Sequence, residues 1–188
     1  VKEIKDNKVF ISDRRRRVIK LDTTLMNYGI NEISVTLNDR DNDYVLYYYY
    51  EKESPPYGGS CSCDLQEAIS IKDEVTFSVI NWITNNYPLS YTFYSERKDK
   101  LTKISPKIYK ETFTTNLLPN DSKFYVEVMD DKGLTTFSPC QLSVSKYTLS
   151  EKDSLAMYNQ ATTENEKLLM LEVFDSNETP MNNTLIVE

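Results

Sequence analysis

The chain has no histidine among its 188 residues. That removes the usual general base, the commonest metal ligand and every Ser-His or Cys-His nucleophile pair. No apolar run approaches the roughly 20 residues that a bilayer-spanning helix needs, and the longest, Val45 to Tyr50, falls far short, so no membrane contact is expected within this segment. Basic residues are outnumbered, 22 against 29 acidic ones, and the net charge of −7 argues against nucleic acid as a general partner, because phosphate binding needs a basic face. The exception is Arg14-Arg15-Arg16-Arg17, which reads as a polyanion contact, a processing site or, preferably, a strand edge kept unpaired by charge. The chain starts at Val1 without an apolar leader, which suits a mature or excised segment. Carboxylate pairs such as Asp130-Asp131 are common in turns, and with no nucleophile motif or Gly-rich loop nothing here assembles an active site or a cofactor cradle; the chain is expected not to be an enzyme.

Metal chemistry is thin as well. Cys-x-Cys plus one distant cysteine is poor zinc spacing, and Asp39-x-Asp41-x-Asp43 lacks the Gly and distal Glu of an EF-hand, so it reads as a hairpin turn and not as a calcium loop.

Strand patterns, by contrast, are plentiful. Val75, Phe77 and Val79 alternate with Thr76, Ser78 and Ile80, the period of a half-buried strand. Phe124, Val126 and Val128 point inward by the same rule, with Tyr125 and Glu127 outward, and Asp130-Asp131-Lys132-Gly133 closes a tight hairpin in which Gly133 takes positive φ. Further strands are expected near 73 to 80, 88 to 95, 102 to 115 (one or two pieces), 123 to 130 and 134 to 145. Ahead of them Pro55-Pro56, followed by Gly58-Gly59, fixes an extended joint and a sharp turn, and places a unit boundary near residue 57. Residues 1 to 56 read as the last strands of a preceding β unit, including Ile33 to Leu37 and Tyr44 to Tyr50. The Tyr47 to Tyr50 run puts two rings on each face of its strand, better suited to an aromatic ladder covering a sheet than to stacking on sugars.

The order Pro55-Pro56-x-Gly58-Gly59-x-Cys61, a strand ending at Trp82, Pro88-Leu89-x-Tyr91-x-Phe93, then Leu118-Pro119 leading into Phe124-x-Val126-x-Val128-x-Asp130-Asp131-x-Gly133, resembles the REJ (receptor for egg jelly) module of polycystin-family and large ciliate surface proteins. The shared features run from about residue 55 to 146. The resemblance implies a β-sandwich in an extracellular, cell-surface or ciliary protein, with a role in adhesion, recognition or mechanosensing. The family often places a second cysteine three residues before the Trp; here that position is Val79, so the usual short disulfide cannot form.

The fold class is therefore mainly β, with tandem Ig- or fibronectin-III-like sandwiches and a short helical segment: residues 1 to 56 end one unit, 57 to 146 form the REJ-like sandwich, and 147 to 188 hold helices and the start of a following unit. Trp82 is expected in the core near Tyr91 or Phe93. Where fibronectin-type domains carry a corner tyrosine this chain has Phe124, so the hydroxyl bond is lost unless Tyr125 takes the role. Ser150 caps a first helix and a second runs from about Thr163 to Val173, either a docking arm or a cover on this sheet. Of three cysteines, Cys140 is expected to bridge Cys61 or Cys63, with Cys63 favoured because it lies deeper in its strand; three free thiols in a reducing compartment is the competing reading. Asn120, Asn177 and Asn182 each begin an Asn-x-Ser/Thr sequon, Asn120 being the strongest for its place in a turn. The function expected is non-catalytic: a structural and interaction module whose partners are neighbouring domains, other surface proteins or glycans. The alternative is a carbohydrate-binding sandwich attached to a secreted enzyme.

Overall fold

The computed structural model describes residues 20–39 and 42–179 and divides the chain into two compact units, Val1–Ser54 and Pro55–Glu188. In the first, Asp22 caps a 3-10 turn at Thr23–Leu25, and β1 (Gly29–Asp39) and β2 (Asn42–Lys52) pair antiparallel from Gly29↔Lys52 to Asp39↔Asn42. The Lys52 ammonium closes the base of this ribbon by donating to the Thr24 and Met26 carbonyls, 3.0 Å each. The tyrosine run on β2 does not lie under a cover: Tyr47 to Tyr50 stay 40% to 65% exposed. The Arg14 to Arg17 run and residues 40 and 41 of the Asp39 to Asp43 turn lie outside the described residues.

Among the described residues the second unit has nine strands: β3 (Ser60–Cys63), β4 (Glu67–Ile69), β5 (Val75–Ile80), β6 (Ser90–Arg97), β7 (Lys100–Lys103), β8 (Thr112–Thr115), β9 (Lys123–Met129), β10 (Thr135–Cys140) and β11 (Ser143–Ser145). Seven of them form one sheet in the order β7-β6-β9-β10-β3-β5-β8, and β4 and β11 pair parallel beside it. A single parallel register point, Cys140↔Cys61, joins the two halves of the seven-stranded sheet. The sheet curls there, so that Phe77 on β5 meets Phe93 on β6 at 5.4 Å and Phe124 on β9 at 5.8 Å between ring centroids, while Phe113 on β8 stacks on Phe93 at 5.3 Å. These rings, with Val75, Val79, Val126 and Val128, are the core, and the expected alternation is what buries them: β5 and β9 present every second residue inward.

Two helices complete the unit. Ser150 caps α1 (Glu151–Gln160) by accepting from the Asp153 amide at 3.2 Å, and Thr163 caps α2 (Glu164–Ser176) from the Glu166 amide at the same distance. Leu169, Met170, Val173 and Phe174 of α2 belong to the same buried cluster as Phe77 and Phe93. The cover reading of these helices thus fits and the docking-arm reading does not, because the apolar face of α2 is spent on the sheet's own core. The stretch from 100 to 115 resolves into β7 and β8, separated by an irregular segment that crosses between the sheet's halves.

Candidate functional site

The lead-in at Pro55-Pro56 docks on the second unit. The buried Pro56 carbonyl accepts the Thr136 hydroxyl at 2.6 Å, and Tyr57 and Ile83 exchange backbone hydrogen bonds of 3.0 and 2.9 Å. Gly58 has φ of +79°, and Gly59 lies flat beneath the Trp82 indole: a Cβ there would sit 2.5 Å from Cδ2 of Trp82 and closer still to Cγ and Cδ1. Trp82 is therefore not the core-sealing group that its size suggested. It is half-buried, a lid over Gly59 at the rim of the aromatic cluster, and its indole N–H is shielded from water without an acceptor. Gly59→Ala should displace that lid and destabilise the unit by about as much as Trp82→Ala, some 2–3 kcal/mol, below the 3–5 of a fully buried tryptophan. Urea unfolding of both variants checks this, and a neutral Gly59→Ala would contradict the packing.

The remaining motif residues sit as their pattern implies. Leu89, Tyr91, Phe93 and Phe124 are buried, Pro88 is exposed next to Leu89, and Gly133 takes φ of +81° in the β9–β10 hairpin. The Asp130 carboxylate, buried at the base of that hairpin, accepts from the Lys132 and Leu134 amides at 3.0 and 2.9 Å and from the Asn86 side chain at 3.2 Å. It locks a turn and is no free acid. Tyr125 does not take the corner role either, since its hydroxyl reaches across to Glu96 at 2.9 Å; the neighbouring Tyr94 bonds Glu127 in return at 3.0 Å.

The bridge is Cys61–Cys140, with Cα atoms 4.9 Å apart and a sequence separation of 79. The preference for Cys63 is corrected by the register. Cys140 lies opposite Cys61 on the parallel neighbour, whereas Cys63 is a strand step beyond the end of β10. Val79 lies on the other side of Cys61, in the antiparallel register with β5. The half-buried Cys63 thiol is free, and burial first, then the Asp64 charge, pushes it up to about 11. Such a thiol is a poor nucleophile at neutral pH. Among the described residues no cluster of His, Cys, Asp or Glu could hold a metal ion.

The sequons fare unevenly. Asn177 is 0% exposed: its amide donates to Ser70 Oγ at 2.7 Å, its side-chain oxygen accepts the Tyr147 amide at 3.1 Å, and Thr148 donates to its carbonyl at 3.0 Å. The fold leaves no room for a glycan there, because the residue that looked like a surface acceptor is the knot that ties the end of α2 to the sheet. Asn120 is half-buried against the same helix end, with its backbone amide on Ser176 Oγ at 2.9 Å. Asn182 lies outside the described residues.

The chain matches the REJ domain family over residues 12–179. It belongs to the REJ family. The match extends well beyond the 55 to 146 stretch that carries the motifs, taking in β1, β2 and both helices, which accords with the helices' share in the core. No curated protein matches the chain. In polycystins the REJ domain is extracellular, and the family is one of non-catalytic modules.

Proposed function

We propose that this REJ chain is a non-catalytic contact module of an extracellular, cell-surface or ciliary protein, bound to neighbouring domains of its own chain or to other surface proteins. The Cys61–Cys140 bridge supports this reading most directly: a structural disulfide between two sheet strands suits an oxidising compartment. The use of Asp130 in a turn and the high thiol pKa of Cys63 point the same way, since both remove groups that chemistry would need. A second reading, carbohydrate binding, draws on the exposed rings of Tyr47 to Tyr50.

The test is to secrete residues 1–188 from a eukaryotic host and map peptides without reduction. One linked pair, Cys61 with Cys140, and a Cys63 that alkylates only after denaturation are the expected result, with binding to flanking segments and no turnover of ester, glycoside or phosphate substrates. Three free thiols in native material, or turnover, would overturn the proposal. Glycan-array binding that disappears on replacing Tyr47 and Tyr49 by Ala would favour the second reading.

A further inference from the structure

Between the ends of β5 and β6 lies a cavity of about 680 Å³ whose wall includes Trp82, Tyr87, Leu89, Tyr91, Tyr109 and Glu111. The volume is that of a small-ligand site. Its wall is rigid on the side that matters: Tyr91 and Ile108 exchange backbone hydrogen bonds of 2.8 and 2.9 Å, and the Val79 amide donates to the Glu111 carbonyl at 2.8 Å. The 108–111 segment is thereby pinned to both halves of the curled sheet, and holds Tyr109 and Glu111 at the rim.

The electrostatics have one sign. Glu111 is the only charged residue among those lining the cavity, and its carboxylate makes no ion pair or hydrogen bond with any described side chain. Tyr91, only 4% exposed, lines the cavity beside it. Burial, then Glu111, then Tyr87 raise its pKa above the ordinary phenol value. Tyr87 and Tyr109 leave 62% and 67% of their surface in water, so ring faces carrying negative quadrupole are open to a ligand. An anion is repelled by this wall. A compact cation with an apolar skirt satisfies the ring faces by cation–π attraction, the carboxylate by charge and the apolar wall by burial.

We propose that this cavity binds an organic cation, an alkylammonium or guanidinium head. The proposal deepens the contact-module reading, and rests on it only for the source of the cation, a Lys or Arg side chain of a partner as against a free amine.

Trp82 is the chain's one tryptophan and lines the cavity, so its fluorescence reports occupancy. Tetramethylammonium chloride should produce a saturable change that sodium chloride at equal ionic strength does not. Glu111→Gln and Tyr109→Ala, both at exposed positions, should keep the fold and each weaken binding by about five- to tenfold. A peptide with a central Lys or Arg that binds more tightly than tetramethylammonium supports a protein source, and equal affinity assigns the cation to a free amine. A response absent for both cations, matched by sodium chloride, unchanged in Glu111→Gln, or given by glucose and not by the cations overturns the proposal. Enzyme turnover by the module would sink the contact reading and leave the tetramethylammonium result standing.

Discussion

A chain that stops at Lys146, where the composition shifts toward helix formers, is expected not to reach the native state. It would lack Leu169, Met170, Val173 and Phe174, all buried in the common core, and each such loss costs about 2–5 kcal/mol. Their sum, about 8–20 kcal/mol, is as large as the roughly 5–15 kcal/mol of net stability available to a domain. It would also strand Ser70, whose hydroxyl accepts from Asn177 while donating to the Leu118 carbonyl at 2.6 Å. Circular dichroism should show no cooperative melt for the truncated protein. Two point variants separate packing from mere shortening: Phe174→Ala should cost about 3–5 kcal/mol, whereas Leu168→Ala, on the exposed face of the same helix, should stay within about 0.5 kcal/mol. A truncated chain that melts like the parent would show that the helices are dispensable.

Removing the bridge should be nearly as severe. With Cys61 and Cys140 separated by 79 positions in sequence, the chain-entropy model assigns the crosslink about 4.5 kcal/mol, so a Cys61→Ser, Cys140→Ser double variant should lose roughly that in urea unfolding. Cys63→Ser is the control. Half-buried and unbridged, it should change stability by no more than about 1 kcal/mol. The reverse pattern, a tolerant Cys61 and a costly Cys63, would mean that the other pairing forms in solution.

Local pattern made the β framework legible. Period-two alternation in 75–80 and 123–128, the Gly133 hairpin and the Ser150 cap are decided by neighbours a few residues apart, and the structure keeps them. What escaped depends on distant registers. Cys61 and Cys63 share a strand face by parity, so spacing cannot choose between them; only the parallel pairing with Cys140 does. Trp82 packs against the core from its rim, over the bare backbone of Gly59, 23 residues earlier. The Leu168 to Leu171 run is apolar on every side of its helix, and nothing local says that Leu169 and Met170 turn in while Leu168 turns out. Asn177 reads as a glycan acceptor because a buried asparagine with all its polar groups satisfied has no signature in sequence. The aromatic cavity was equally hidden, since Tyr87, Tyr91, Tyr109 and Glu111 are gathered by the crossing segment and not by any motif.

The crosslink has a mechanical consequence. Tension applied between Pro55 and Thr179 enters at β3, and the covalent bridge hands it straight to the end of β10. Strands β4 to β9 lie inside the closed loop, off the covalent path of the force. Only the few residues before Cys61 and the β11–α1–α2 tail can pay out, while the enclosed loop, a sequence separation of 79 or roughly 270 Å of contour at about 3.4 Å per step, stays locked until the bridge is reduced. Under load the tail would peel first, at the Asn177 knot, and draw Leu169, Met170, Val173 and Phe174 out of the common core as it goes.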